Sequence, residues 1–342
     1  MIHFKGLPLV IAAFIIGIVG FIGNLCVIIL GLKDKNLKTI SNRGIIALAF
    51  VDIVASFPVC FPLSVLNFGS WSPYFCDGIV YAFTIHQVLA SVFILVIVTI
   101  ERFIAITRPL RYGELITLKK LNICLFIANF YAYTIGMVPR FAWNVKHIDA
   151  YQNVTDCNMF RDLRGSYFGF ILIGHIWPGM IILAVVYAKI WKIVKSQIAS
   201  IYTNNTVVPQ QIMNPQEGNS GTPRGKTIEL SPKQLAEAKA VKTLIIVVGL
   251  FFITWLPLSV AVVVHFKGFT VDFYPTPPNT EALNETVFIL IALANSAINP
   301  YVYALTNKQY KLAMKKTRLY QVVCGKWTTA VRDNDTVVST LT

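Results

Sequence analysis

Long apolar stretches separated by shorter polar segments make up most of this chain. Seven of these stretches approach or exceed the roughly 20 apolar residues that a helix needs to cross a bilayer. The stretches, which we call spans one to seven, cover residues 7–32, 44–66, 78–104, 121–141, 167–191, 241–264 and 285–305. The pattern predicts an all-α membrane protein in which residues 1–306 form a single domain, a bundle of seven transmembrane helices.

Two segments depart from this pattern. Residues 198–232 are rich in Asn, Gln, Gly, Pro, Ser and Thr and show no apolar periodicity, so we predict a flexible cytoplasmic loop between spans five and six. Residues 307–342 begin with apolar positions, such as Tyr310 and Leu312, interleaved with lysines. This beginning predicts a short amphipathic helix on the inner membrane surface, and the rest of the segment is expected to form a cytoplasmic tail.

The composition agrees with a membrane protein and suggests its orientation. The chain is 55% hydrophobic and 13% charged, whereas soluble domains carry about 25% charged residues. Most of the 30 Lys and Arg residues lie at 33–43, 101–120, 189–242 and 306–342, and the positive-inside rule places such segments in the cytoplasm. We therefore expect a multi-pass plasma-membrane protein with an extracellular amino terminus and a cytoplasmic carboxyl terminus. The net charge of +14 favours anionic membrane lipid as a partner rather than nucleic acid.

Several polar side chains stand alone within the apolar spans. A carboxylate or an amide in hydrocarbon is costly unless it finds a partner, so such residues indicate a functional site. Asp52 is the carboxylate of span two. The other candidates come from spans one, three and seven, and they are Asn24, Ser91, Asn295, Ser296 and Asn299. We predict that these six side chains meet in a polar core.

The helical period separates the faces of span three. One face, which we expect to line the interior of the bundle, contains Thr84, Ser91, Leu95 and Arg102. At 100° per residue, His86 points about 160° away from this face, and we interpret it as a packing or interfacial histidine. Gln87 lies about 60° from the same face and is the better candidate for contact with a ligand.

A switch is predicted at the inner halves of spans three and six. Arg102 and Glu237 are expected to pair across the cytoplasmic ends of these spans, forming a latch that holds span six. The alternative is that these charges simply extend into water. Pro257 removes a backbone hydrogen bond and predicts a hinge in span six. Trp255 lies beside this hinge, where a large ring would respond to a ligand above it.

Three sites of covalent modification are candidates. Cys76 and Cys157 fall in segments that are extracellular under this topology, where a disulfide can persist. Asn153 begins an Asn-Val-Thr acceptor for glycosylation. Cys324 lies in the basic tail and is a candidate for palmitoylation, with a free thiol as the alternative.

Five motifs on five spans resemble those of rhodopsin-like (class A) G-protein-coupled receptors. They are Gly23-Asn24, Leu48 with Asp52, Glu101-Arg102-Phe103, Phe251 with Trp255-Leu256-Pro257, and Asn299-Pro300 with Tyr303. The resemblance covers nearly the whole chain. It implies a receptor that binds an extracellular ligand and activates a heterotrimeric G protein by outward movement of helix six. We include Pro178 and Tyr187 of span five among the residues of the activation switch.

The resemblance also implies a disulfide between Cys76 and Cys157 and an allosteric sodium ion at the polar core. The residues that match the family's sodium positions are Asp52, Ser91, Asn295, Ser296 and Asn299. A hard cation prefers oxygen ligands of this kind, although purely structural hydrogen bonding is the alternative. No cofactor is expected to be required. Retinal is not expected, because Leu293 occupies the position of the lysine that binds retinal in opsins.

Within the family, the melatonin receptors are the group that the chain resembles most. The matching stretches are Pro109-Leu110-Arg111-Tyr112, Val138-Pro139, His175, Tyr187-Ala188-Lys189-Ile190-Trp191 and Asn295-Ser296 with Asn299. Arg140 and Arg161 stand where that group has ligand-contacting Asn and Gln residues. The ligand, a small molecule or a peptide, is therefore left open, with melatonin as one candidate.

The ligand is expected between spans three, five, six and seven. The candidate contacts are Thr84, Gln87, Arg161, His175 and Trp255. Phe83 and Thr84 are the candidates for the position where amine receptors carry Asp, and neither can pair with an ammonium group. Relative to the family, one extra residue separates Cys76 from Arg102 and another separates Pro178 from Tyr187. The register of the outer parts of spans three and five is thus open by one position.

Three alternatives agree less well with the sequence. An opsin-like receptor would here lack its retinal lysine. A transporter or channel would call for internal repeats and several intramembrane charges along a path, and we find one carboxylate and no repeat. An enzyme would need a nucleophile–base pair or metal-ligand spacing, and none is evident. The sequence therefore predicts a receptor and not an enzyme.

Overall fold

The computed structural model describes residues 7–56, 76–141, 163, 165–207, 232–265 and 281–317. Helices account for nearly all of this part of the chain. The long ones are α1 (Leu7–Lys33), α2 (Ile40–Ala55), α3 (Ala82–Thr107), α4 (Leu118–Phe141), α5 (Trp177–Val207), α6 (Pro232–His265) and α7 (Glu281–Thr306). Each of these helices overlaps one predicted span. The structure describes span two, predicted at 44–66, as far as Ser56.

Short elements connect the long helices at one end of the bundle. A 3₁₀ turn at Lys35–Leu37 joins α1 to α2, a one-turn helix at Tyr112–Leu115 joins α3 to α4, and α8 (Lys308–Lys315) follows α7. Asn307 caps α8, because its Oδ1 accepts from the backbone N–H groups of the next turn. The helix predicted after span seven is therefore present.

The long helices pack into one bundle. α1 packs against α2 and α7, α2 packs against α3, α5 packs against α3 and α6, and α6 packs against α7. α3 contacts α2, α4, α5 and α6, so it lies at the centre of the bundle. This arrangement brings the polar residues of α1, α2, α3 and α7 to a shared interior.

The outer surface of the bundle is apolar. Phe126 is 71% exposed, Ile253 69% and Leu305 76%, whereas the polar side chains Asn24, Asp52 and Asn299 are buried. This distribution is typical of a protein surrounded by hydrocarbon. Five described helical stretches are long and apolar enough to cross a membrane, and they are Ile11–Lys33, Gly78–Thr107, Leu118–Pro139, Gly165–Ile193 and Thr243–Val263.

Two helix-interior prolines leave carbonyls that side chains of other helices satisfy. Proline lacks an N–H group, so Pro300 cannot bond the carbonyl of Ser296 one turn earlier. The Nδ2 of Asn24 donates to that Ser296 carbonyl at 2.9 Å. In the same way Pro139 leaves the Ile135 carbonyl free, and the Tyr167 hydroxyl donates to it at 2.6 Å. Both bends are thus held by a donor from a neighbouring helix.

The close approach of α1 to α7 depends on Gly23. A Cβ at this position would lie 2.9 Å from Cγ of Pro300, which is too close for a real contact. The absence of a side chain therefore lets the neighbouring Asn24 reach the backbone of α7. This is the physical reason for a Gly-Asn pair in the middle of span one.

Two π-helical stretches lie at the beginnings of spans three and five. Cys76–Tyr81 precedes α3, and Leu172–Ile176 joins a short helix at Gly165–Ile171 to the start of α5. A π-helical turn holds more residues than an α-helical turn. The first stretch therefore accommodates the extra residue between Cys76 and Arg102. The second lies before Pro178, so it does not account for the extra residue between Pro178 and Tyr187.

The loop predicted at residues 198–232 needs a correction. α5 continues as a helix to Val207, so 198–207 do not belong to a loop. α6 begins at Pro232, where the predicted loop ends and before the apolar residues of span six. The apolar pattern ends where the membrane ends, whereas the backbone hydrogen bonds of a helix do not require apolar side chains. A proline suits the start of α6, because the first helical N–H groups have no partner within the helix.

Candidate functional site

The centre of the site is a contact between α2 and α7. The Nδ2 of Asn299 donates to Oδ2 of Asp52 at 2.8 Å. Both side chains are fully enclosed, with Asp52 at 0% and Asn299 at 1% exposure. The partnership that the sequence predicted for the isolated carboxylate of span two is therefore present in the structure.

Ser296 of α7 connects two more helices to this contact. Its backbone carbonyl accepts from Asn24 of α1, and its Oγ accepts from Nε2 of Gln87 of α3 at 3.1 Å. The Ser296 side chain also lies close enough to Asp52 to interact with the carboxylate. α1, α2, α3 and α7 are thus joined by hydrogen-bonding side chains at one level of the bundle.

Many oxygen atoms of this cluster have no hydrogen-bond partner within the described part of the chain. These buried atoms are Oδ1 of Asn24, Oδ1 of Asp52, Oε1 of Gln87, Oγ of Ser91, Oδ1 of Asn295 and Oδ1 of Asn299. Buried polar atoms are usually satisfied by protein, water or an ion, and leaving one unsatisfied costs about 1–3 kcal/mol. The cluster therefore has an unusual excess of acceptors over donors.

Two of the predicted core residues have fewer contacts. Ser91 of α3 and Asn295 of α7 are buried at 1% and 3% exposure. The Ser91 hydroxyl has no partner among the described atoms, and the same holds for the side-chain amide oxygen Oδ1 of Asn295. Both residues are enclosed as predicted, and their unused oxygens are what an ion or a water would need.

Trp255 lies in α6, one turn from Phe251. The two rings stack with centroids 6.0 Å apart and an interplanar angle of 28°. Trp255 is buried, and its Nε1 donor has no partner among the residues that the structure describes. Pro257 lies inside the same helix, as predicted for the hinge.

The predicted ligand contacts of α3 and α5 lie in different environments. Thr84 is half-buried and donates to the Val80 carbonyl of its own helix at 2.6 Å. His175, in the π-helical stretch before α5, is hydrogen-bonded through Nε2 to the hydroxyl of Tyr131 at 2.9 Å. Tyr131 is 44% exposed on the apolar surface, and the His175 ring packs on Phe170. The described contacts of His175 are thus with α4, with Phe93 of α3 and with the short helix before α5, and its contact with a ligand stays a prediction.

His86 packs between α3 and α4, in agreement with its interpretation as a packing residue. It is 5% exposed. Its ring lies edge-on to Phe83 and Tyr133, at centroid distances of 6.4 Å and 6.1 Å. This position is on the opposite side of α3 from the polar core.

At the predicted cytoplasmic end of α3, a second polar cluster surrounds Glu101. Arg102 donates from Nε to Glu101 Oε2 at 2.6 Å and from Nη2 to Oε1 at 2.9 Å. The Tyr112 hydroxyl, from the one-turn helix after α3, makes a short hydrogen bond to the same carboxylate. Glu101 and Arg102 are 3% and 4% exposed. The structure therefore gives Arg102 a neighbouring partner on its own helix.

The remaining switch residues connect this end of the bundle to its core. Tyr187 of α5 accepts from the Thr99 hydroxyl at 3.3 Å. Tyr303 of α7 is fully buried, and its ring lies 6.2 Å from that of Tyr310 of α8. Through Tyr303 and Tyr310, α8 packs directly against the carboxyl-terminal end of α7.

A family model described as 7 transmembrane receptor (rhodopsin family) matches residues 23–303. The matched segment is more than half of the chain. The chain belongs to the rhodopsin family of seven-transmembrane receptors. This confirms the predicted class and the seven-helix membrane bundle, and it agrees with the prediction that the chain is not an enzyme.

Several receptors are similar to this one over most of its length. The human (Homo sapiens) alpha-1A adrenergic receptor is 27% identical over 326 residues, covering 90% of this chain and 66% of the relative. The Drosophila melanogaster octopamine receptor beta-2R is 26% identical, covering 89% and 60%, and the Ovis aries adenosine receptor A3 is 25% identical, covering 87% and 85%. The chain spans slightly less than two thirds of the adrenergic relative. The likeness to melatonin receptors stays a prediction.

Some predicted residues of the receptor lie outside the described residues. These are Arg161, Asn153, Cys157 and Cys324, together with the side chains of Cys76 and Glu237. The disulfide, the glycosylation and palmitoylation sites, and the latch between Arg102 and Glu237 therefore stay predictions.

Sequence reasoning missed two functional contacts of the receptor. Gln87 was assigned to the ligand pocket, and the structure places its amide on Ser296. Tyr112 was noted only as part of a similar stretch, and it contacts Glu101. A long side chain can reach well beyond the face on which its Cα lies, so the length of the Gln87 side chain is the feature of the sequence that indicates a contact with span seven. The sequence contains no comparable indication for Tyr112, because no periodicity relates a residue between two spans to a helix.

Proposed function

We propose that the receptor binds an extracellular small molecule among α3, α5, α6 and α7 and then activates a heterotrimeric G protein. Binding would favour an arrangement in which α6 has moved outward about Pro257, because a ligand shifts an equilibrium toward the state that it binds better. A shift from 1:99 to 99:1 requires about 5.5 kcal/mol of differential binding. The movement would open a cleft at the end of the bundle where Arg102 lies, with Lys189 and Lys239 at its rim.

The observation that carries this proposal is the buried ionic cluster at Arg102. A guanidinium and a carboxylate at 3–4% exposure have been removed from water at the end of a membrane helix. Such a pair is weak evidence for stability, because desolvation offsets much of the attraction. A role in switching explains the burial, since an opening of α6 would expose Arg102 to a partner protein.

The pocket chemistry favours a ligand without an ammonium group. Adrenergic and octopamine receptors are named for amines, but this receptor has Phe83 and Thr84 at the candidate positions for a carboxylate. Phe83 packs on His86 and Tyr133, and the Thr84 hydroxyl is bonded to its own helix. Trp255 Nε1 is a buried donor that a ligand carbonyl or ring nitrogen could satisfy. We therefore favour a neutral, aromatic ligand such as an indole amide, with a nucleoside as the second candidate.

A G-protein activation screen tests the proposal. Cells that express the receptor would be exposed to melatonin and related indoles, to adenosine, and to octopamine and adrenergic amines, with nucleotide exchange on the G protein as the readout. We expect a saturable response to a neutral aromatic compound, and a response reduced at least tenfold in Trp255→Ala. A response confined to amines would contradict the ligand class, and ion flux through the purified protein without any G-protein response would contradict the receptor proposal.

We further propose that the polar core holds a sodium ion. The donor set fits this ion, because Asp52, Ser91, Asn295 and Asn299 each contribute a buried oxygen that lacks a partner among the described residues. One carboxylate with several neutral oxygens is the ligand chemistry of a hard cation. When bound, the ion would neutralise Asp52, and these residues would hold it between α2, α3 and α7 and keep the bundle compact. Ordered water is the alternative occupant.

Replacement of the carboxylate tests the ion site. Asp52→Asn keeps the size and hydrogen-bonding capacity of the side chain and removes its charge. We expect sodium to lower agonist affinity in the wild type and to have no such effect in Asp52→Asn. A sodium effect that persists in the variant, and that potassium does not reproduce, would place the ion elsewhere.

A further inference from the structure

We propose that Gln87 belongs to the ion site, where its carbonyl oxygen Oε1 is an additional ligand and its amide nitrogen fixes Ser296. This inference rests on the proposed sodium site and adds to it a residue that the sequence assigned to the extracellular ligand. It therefore names a residue of α3 that sets the affinity and selectivity of the polar core for a small cation.

The burial of Gln87 is the first observation in favour. The side chain is 0% exposed, so no part of it is available to a ligand or to solvent without a rearrangement. A flexible side chain with three rotatable bonds loses entropy when it is fixed in this way, at a cost of about 1.5–2 kcal/mol. A hydrogen bond to a neutral hydroxyl, worth about 0.5–1.5 kcal/mol net, offsets only part of that cost.

The orientation of the amide is the second observation. Because Nε2 donates to Ser296 Oγ at 3.1 Å, Oε1 is the atom that remains, and it has no partner in the described structure. Ser296 in turn lies against Asp52. The unused oxygen of Gln87 and the carboxylate are thus both neighbours of one serine side chain, which is the arrangement that a shared cation requires.

The position of Gln87 on α3 is the third observation. Gln87 and Ser91 are four residues apart, so they lie one above the other on the same face of the helix. Both carry a buried oxygen without a described partner. α3 would therefore contribute two neutral oxygens to the ion, and α2 and α7 the carboxylate and the amide oxygens. The Ser296 hydroxyl, whose Oγ accepts from Gln87, would donate its proton to Asp52.

Thermal unfolding of the purified, ligand-free receptor tests the inference. The full chain in detergent would be unfolded in mixtures of NaCl and KCl at constant total chloride, and the apparent sodium dissociation constant, called the midpoint below, would be fitted to the dependence of stability on sodium concentration. A ligand that binds the folded state alone raises stability in proportion to ln(1 + [L]/Kd), so this midpoint follows the sodium affinity. For Gln87→Leu we expect the midpoint to rise about tenfold, since one of the oxygen ligands is lost.

A matched control and a second variant complete the design. Asn129→Leu removes an amide of similar chemistry from α4, where Nδ2 bonds the Leu125 carbonyl of its own helix, and we expect its midpoint to equal that of the wild type. Gln87→Glu keeps the oxygens and adds charge, so its midpoint should fall. If Gln87→Leu does not give folded protein, an unchanged midpoint in Gln87→Glu overturns the inference.

The two proposals fail in different ways. If Asp52→Asn abolishes the sodium-specific shift while both Gln87 variants keep the wild-type midpoint, Gln87 is not a ligand and the ion site stands. If Asp52→Asn retains the shift, or if sodium and potassium are equivalent for the wild type, the ion site itself is wrong and Gln87 has no ion to bind.

Discussion

Two buried polar clusters, at different depths of the bundle, satisfy their carboxylates in opposite ways. Both oxygens of Glu101 are bonded, by Arg102 and by Tyr112. Asp52 has one oxygen on Asn299, and its other oxygen has no partner among the described residues. The paired cluster, at Glu101, has a donor for each carboxylate oxygen, whereas the open cluster, at Asp52, has unused acceptors on four helices. The first is suited to hold a closed state, and the second is suited to bind an ion.

Because of this difference, substitutions in the two clusters should have different effects on the receptor. Removing a member of a complete ion pair leaves a buried charge without compensation, so stability should fall. Removing a charge from an open cluster removes repulsion and desolvation cost together with the ion, so sensitivity to sodium should be lost instead. Three substitutions within the clusters test this contrast, and a fourth, at an ion pair outside both clusters, gives the lower end of the scale of expected effects.

The largest effect on stability is expected for Glu101→Gln. The neutral amide cannot compensate Arg102, and we expect a loss of about 3 kcal/mol in unfolding free energy together with raised basal G-protein activation. Thermal unfolding and ligand-free nucleotide exchange, at equal surface expression, measure the two effects. Wild-type stability in this variant would show that the paired cluster is not the stabilising one, and the contrast would be lost.

A smaller effect is expected for Asn24→Leu in the open cluster. The Ser296 carbonyl, freed by Pro300, would lose the donor that satisfies it. We expect a loss of about 2 kcal/mol, the cost of an unsatisfied buried acceptor. Thermal unfolding in potassium chloride separates this loss from any effect of sodium, and an unchanged melting temperature would mean that water replaces the amide.

Tyr112→Phe should lower the unfolding free energy less than Glu101→Gln does. It removes one hydrogen bond to Glu101 and leaves both bonds from Arg102 in place. We expect a loss of about 1 kcal/mol and a modest rise in basal activation. The double variant Tyr112→Phe with Glu101→Gln should be no less stable than Glu101→Gln alone. Additive losses would show that Tyr112 acts through another residue.

The smallest effect is expected at an exposed ion pair beside α8. Lys316 Nζ lies 3.6 Å from Asp34 Oδ2, and the backbone N–H of Asn36, aided by Lys316, holds the pKa of Asp34 below its usual 3.8. A lowered pKa means that this contribution is present above pH 3.8 and is lost as the pH falls through the lowered value. Asp34→Asn should slightly increase hydrogen exchange in α8 at pH 7.

Salt is the control for this last prediction. In about 1 M salt the Debye length falls to about 3 Å, so the difference in exchange between Asp34→Asn and the wild type should shrink. A difference that persists unchanged in high salt would assign the effect to the cap on Asn36 rather than to the ion pair with Lys316.

Much of the fold and part of the site could be predicted from the sequence, because a membrane makes polar residues costly. An isolated carboxylate in span two had to find a partner, and Asn299 was among the polar residues predicted to meet it. The free-energy cost of an unpartnered amide in the membrane also predicted that Asn24 would contact another helix. Helix ends were less predictable, since α5 and α6 continue beyond the apolar residues on which the spans were recognised.

Side-chain reach and local helix geometry explain what could not be predicted. The assignment of Gln87 used the direction of its Cα alone, whereas its amide lies several bonds away and bonds Ser296. His175 lies in a π-helical stretch, where the 100° period does not hold, and its ring is directed at Tyr131. Glu237 was assigned to Arg102 on charge alone, and the bond to Glu101 shows that a neighbour in sequence also competes for that guanidinium.

The length of α6 has a mechanical consequence. At 1.5 Å per residue, the start of this helix at Pro232 lies about 38 Å from Pro257 along the axis. A rotation of about 10° at the proline would therefore carry the far end sideways by roughly 6–7 Å. Trp255 lies two residues from Pro257, so its indole ring is close to the pivot of this lever. A small displacement of that ring would therefore be amplified at the far end into a shift of about half the diameter of an α-helix.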